Sequence, residues 1–131
     1  MPAMHEIADA LLKRCEDLEV GTPSLPVAMP DVSFTPPQDG KYLSVTFRPN
    51  APRWEGVNQG RIDQGLLQID VVWPKDAGVL APMRIADAVM ARFPKGLRLA
   101  PGIKITAAPY VMQPLLEGNR TICPITISWV A

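Results

Sequence analysis

The chain has 131 residues, 47% of them hydrophobic, and its 13 basic residues balance 13 acidic ones. That length fits one domain able to bury a single core, and the neutral balance argues against a nucleic-acid protein, whose affinity comes mostly from neutralising phosphates. No stretch approaches the roughly 18–20 apolar residues of a membrane span. The N-terminus lacks the basic start and apolar run of a signal peptide, so a cytoplasmic site of synthesis is expected.

Residues 2–18 read as an amphipathic helix. Met4, Ile7, Ala8, Leu11, Leu12, Cys15 and Leu18 recur at spacings of three and four. Gly21 and Pro23 stop it. Residues 22–40 carry five of the chain's 15 prolines. One short extended piece, Leu25–Met29, is expected there, followed by a stiff connection to the turn signal Asp39-Gly40.

Lys41–Arg48 alternates as a strand, with Leu43, Val45 and Phe47 on one side. Gly65–Pro74, GLLQIDVVWP, does the same with Leu67, Ile69, Val71 and Trp73. The two are expected to pair antiparallel around one core face. Pro49–Gln64 between them has no clear period. It reads as a long loop or arm, and loops of that length are uncommon unless they act. Trp54 within it is either a partner anchor or a lid folded back on the core.

The best helix in the sequence is Val79–Phe93, with Ile85, Ala86, Val89, Met90 and Phe93 as its buried stripe. Pro82 is tolerable only in a first turn, which favours a start near Leu80. The pattern fits either a parallel crossover or a helix laid across an antiparallel sheet. The last third is strand-like: Leu97–Leu99, then Ile103, Ile105 and Ala107, then Tyr110–Leu116 broken by Pro114. A hairpin turn at Glu117-Gly118-Asn119 leads into Arg120–Val130. Pro124 in that run points to an edge position or a bulge. The fold class is α+β: a single domain whose mixed, mostly antiparallel sheet of about four to six strands packs with two helices, residues 2–18 and 79–93.

Chemistry-bearing motifs are scarce. His5 is the one histidine, and no Cys-x-x-Cys or His-x-x-x-His spacing accompanies it. Cys15 and Cys123 each lie on an apolar face and read as small buried hydrophobes. Gly56, Gly60 and Gly65 have neither the spacing nor the setting of a phosphate loop. Asp63, Asp70 and Asp87 are the carboxylates a fold could bring together for acid–base work. No cofactor, metal or catalytic role is expected.

Four stretches together carry a family resemblance: PDVSFTPPQDGKYLSVTFRPNAP, GLLQIDVVWPKDAG, IADAVMARFPKGLRL and the closing PITISWVA. In this order, over nearly the whole chain, they resemble the phage tail terminator-like family, small tail-completion proteins of siphovirus-type phages and prophages. The resemblance implies an α+β fold with a mixed sheet. It also implies a hexameric ring that caps the tail tube at the tail–head junction of the virion. Such a ring stops tube polymerisation and prepares head joining. The implied partners are the chain itself, the tail tube protein and a head–tail connector protein, without membrane or nucleic acid. The alternatives are a head–tail connector or other completion protein of the same gene cluster, and a small-molecule-binding domain. On this reading the candidate assembly contacts are Arg48, Asn50, Arg53, Trp54, Glu55, Arg61 and Asp63.

Overall fold

The computed structural model describes residues 3–21, 24–54 and 60–131. In chain order the elements are α1 (Met4–Glu16), β1 (Val27–Ala28), β2 (Tyr42–Trp54), β3 (Arg61–Pro74), α2 (Leu80–Met90), β4 (Arg98–Leu99), β5 (Ile103–Ile105), β6 (Tyr110–Val111), β7 (Leu115–Glu117) and β8 (Arg120–Val130). The strands form one mixed sheet in the order β1-β2-β3-β8-β5-β4, and β6 and β7 also pair with β8. The long strands β2, β3 and β8 are its frame. β2 pairs antiparallel with β3 and β3 antiparallel with β8.

The expected alternation fixes which face is buried. Leu43 and Val45 of β2, Leu67, Ile69 and Val71 of β3, and Cys123, Ile125, Ile127 and Trp129 of β8 share one face and one core. Both helices cover that face. α1 contributes Ile7, Leu11 and Cys15, and α2 with its C-terminal turn contributes Ala86, Val89 and Phe93. At the start of α1 the Glu6 carboxylate accepts the Ala3 N–H at 3.0 Å, satisfying one donor the helix cannot. Pro82 falls in the first turn of α2, where its missing N–H removes no helical bond. Arg14 ties the helices together: it lies over the Phe93 ring at 5.5 Å, and its Nε donates to the Arg92 carbonyl at 2.8 Å.

The reverse face is more polar: it is half-buried along β3 at Gln64, Gln68 and Asp70, and buried on β8 at Ile122, Pro124 and Thr126. One end carries a second small cluster in which Tyr42, Val72 and Ile122 are covered by Phe34 and Ala28. Phe34 comes from the proline-rich connection, and its ring lies 5.1 Å from that of Tyr42.

Arg120–Val130 departs from the expected edge position or bulge, its register against β3 being unbroken. β8 is central, with β3 on one side and β5, β6 and β7 on the other. Pro124 is tolerated because its carbonyl accepts the Met112 N–H at 2.8 Å on the outer side. In an antiparallel strand a residue's N and C=O point the same way. Its missing donor therefore faces the break between β6 and β7, and the β3–β8 ladder keeps its bonds.

Candidate assembly interface

Pro49–Gln64, expected as a loop, is largely strand. β2 continues to Trp54 and β3 begins at Arg61, so the segment is the far end of the β2–β3 hairpin. It projects past Val130, the last β8 residue paired with β3, at Gln64. This hairpin end is called the arm below. Its period was hidden because an arm beyond the core has no face to bury, so nothing selects apolar residues at alternate positions.

The prolines are placed where the ladder does not need them. The Leu43 N–H bonds outward to Pro26 at 2.9 Å, so odd-numbered residues of β2 present their backbone groups away from β3. Pro49 follows that parity, and its ring blunts a free sheet edge. Pro52 sits in a bulge, because the register passes from Asn50↔Gln64 to Arg53↔Ile62. Ala51 and Pro52 together oppose Asp63. The Gln64 side chain clips the bulge by donating to the Ala51 carbonyl at 3.1 Å.

The base of the arm is locked by an aromatic stack. Phe47 and Trp129 lie parallel with centroids 5.5 Å apart. Gly65 passes beneath the indole. A Cβ there would meet the Arg48 carbonyl at 2.5 Å and Trp129 Cζ2 at 2.7 Å.

The seven candidate contacts separate by position. Asn50, Arg53, Trp54 and Arg61 are exposed along the arm, and Arg48 is exposed just below it, opposite Leu66. Trp54 is 68% exposed, so it is not a lid on the core. Glu55 lies outside the described residues. Asp63 is a correction: it is only 4% exposed, on the same side as Gly65 and Leu67. Its carboxylate is held by Arg61 Nε at 2.9 Å. Its N–H and C=O both bond to Ala131, at 3.1 and 2.8 Å. Asp63 therefore braces the arm from inside and presents nothing to a partner.

On the polar reverse face, Asp70 accepts a hydrogen bond from Gln68 at 3.2 Å. Its carboxyl is pushed above the ordinary range chiefly by partial burial, against that hydrogen bond and the Arg48 charge. Among the described residues no group of three or more His, Cys, Asp or Glu could hold a metal. The carboxylates Asp63 and Asp70 lie on opposite faces of one strand and do not meet.

The arm thus presents an exposed aromatic, Trp54, with Arg53 and Arg61 beside it, in a chain whose elements follow the order of the quoted stretches. The family model for the phage tail terminator protein matches residues 6–129. The chain belongs to the phage tail terminator family. A solved structure 27% identical to it superposes with a TM-score of 0.81, covering 99% of this chain and 96% of the other. No curated protein matches. Membership gives this terminator-family chain a role in phage tail assembly, as a structural component of the tail.

Proposed function

We propose that copies of this chain close into a ring, of about six subunits, on the end of the finished tail tube. The ring blocks further addition of tail tube protein and offers a head–tail connector protein its docking surface, at the tail–head junction. The observation that carries this reading is the arm. A subunit that must grip a neighbour or a tube needs a stiff projection with an aromatic anchor, and Trp54 on the β2–β3 hairpin is one. Arg48, Asn50, Arg53 and Arg61, on the same hairpin, are the remaining contacts.

The test replaces residues 53–62 by a two-residue hairpin turn. The variant is expected to fold with native circular dichroism, to form no rings, and to leave tails of uncontrolled length when it is the only copy in the phage. A variant that still assembles and still limits tail length would overturn the role of the arm. Wild-type rings found on portal-bearing heads rather than on isolated tails would move the chain to the connector role.

A further inference from the structure

The reverse face of the sheet carries a like-charged pair at the base of the arm. One row crosses five strands there, Asn50, Gln64, Val130, Lys104 and Arg98, from β2 to β4. Lys104 and Arg98 are exposed and stand directly opposite each other on β5 and β4. Like charges in that arrangement repel and weaken the strand pairing. Among the described residues neither makes an ion pair. Arg48, also exposed, lies on the same face in the next row, opposite Leu66. The acids of that face are remote. Asp70 is about 20 Å along β3 from the row at Gln64. Glu117, at the far end of β8, is held by Arg120 at 2.9 Å.

The opposite charge gathers on the other side of the sheet. Between Met4 and Val20, the five acids Glu6, Asp9, Glu16, Asp17 and Glu19 stand against the two cations Lys13 and Arg14. Lys13 lies 3.3 Å from Asp9, and Arg14 is engaged by the Arg92 carbonyl and the Phe93 ring. Glu16 ends α1, Asp17 is its C-cap and Glu19 follows, all three exposed. The free carbonyls of a helix C-terminus disfavour negative charge, so these acids too are placed against local preference. α1 packs on the core face through Ile7, Leu11 and Cys15. The sheet therefore separates its acids from Lys104 and Arg98 within one copy. The chain as a whole is neutral, so the excess on one surface is matched by the excess on the other.

We propose that the Arg98–Lys104 row docks against the C-terminal end of α1 in a second copy of the chain, with Glu16 and Glu19 facing the two cations. The surfaces differ and lie on opposite sides of the fold, as a head-to-tail contact repeated around a ring requires. Their charges also reject the wrong pairings, because row against row or helix against helix brings like charges together. This contact rests on the ring reading and adds to the arm a second pair of surfaces that join neighbours.

A charge swap tests it in a phage that lacks its own copy and is supplied with full-length variants. Arg98→Glu with Lys104→Glu reverses the row, and Glu16→Lys with Glu19→Lys reverses the helix end. All four positions are exposed, so both variants should keep the wild-type circular dichroism. Each reversal alone is expected to lower the yield of head-joined particles by about tenfold or more. The four changes in one chain restore opposite charges across the contact and should recover most of that loss. A harmless single reversal, or a four-change chain no better than either reversal, would overturn the proposal. A carbodiimide, which condenses a lysine amine with a carboxylate and loses water, gives a readout on the unmutated protein. On wild-type tails it should link Lys104 to Glu16 or Glu19, and links elsewhere in the chain without that one would also overturn the contact. Electron micrographs of the same tails decide the ring reading separately: rings with a failed swap lose only this contact, and tails without rings lose the ring.

Discussion

Gly65 stands directly opposite Trp129 across the β3–β8 ladder, and the indole occupies the space that a side chain at 65 would need. Two of the three nearest atoms are backbone, at Arg48 and Pro49, so they cannot swing aside. The pair holds the hairpin close to β8 just before the arm leaves the sheet. Gly65→Ala should therefore cost about 1–3 kcal/mol through overpacking. Urea unfolding should show a lower midpoint with an unchanged slope. The arm should also become more protease-sensitive, because its base has been forced open.

Trp54→Ala separates assembly from stability. The indole is 68% exposed, so its removal should change unfolding free energy by no more than about 0.5 kcal/mol. Chemical denaturation checks the first half. Light scattering across a concentration series checks the second, with loss of any multimer expected from removal of a central aromatic anchor.

Asp70 makes stability depend on pH in a defined direction. Partial burial raises its folded carboxyl above the ordinary value of 3.8, so the fold favours the protonated form. Its contribution is fully present below the unfolded value and is lost as pH rises through the raised folded value. Asp70→Asn keeps a hydrogen-bonding partner for Gln68 and removes the charge. The variant should gain most relative to wild type at neutral pH, and the gap should close as the pH falls below about 3.8. Thermal midpoints of both proteins from pH 3 to 7 test this, and a gap that widens toward acid would contradict it.

Both thiols should be inert in the native protein. Burial pushes the Cys15 thiol up to about 12, against a small opposing effect of Arg14, and it also raises the Cys123 thiol. A thiol-specific chromophore at pH 8 should label neither cysteine in the folded chain and both in denaturant. Rapid native labelling would mean that the helix α1 or the strand β8 opens locally.

Much of the frame was determined by the sequence alone. Alternation in 65–74, 41–48 and 120–130 identified the side of each long strand that enters the main core, because a one-residue slip would take those side chains out of it. The three- and four-residue spacing in 2–18 and 79–93 identified the helices for the same reason, and Pro82 located the first turn of the second. Gly118, at φ +64, marked the hairpin turn into β8.

Tertiary structure decided what local pattern cannot carry. A strand's own residues say which face enters the core but not which strands flank it, so Pro124 suggested an edge or a bulge, while β8 is central and in unbroken register with β3. The arm has no core against which to alternate, so Pro49–Gln64 carried no period and its hairpin emerged only from pairing. Asp63 looked like one more exposed arm charge, yet the backbone of Ala131 and the side chain of Arg61 enclose it. Residues distant in sequence, Val79 and Leu116, share a groove only because α2 and β7 meet at the same end of the sheet.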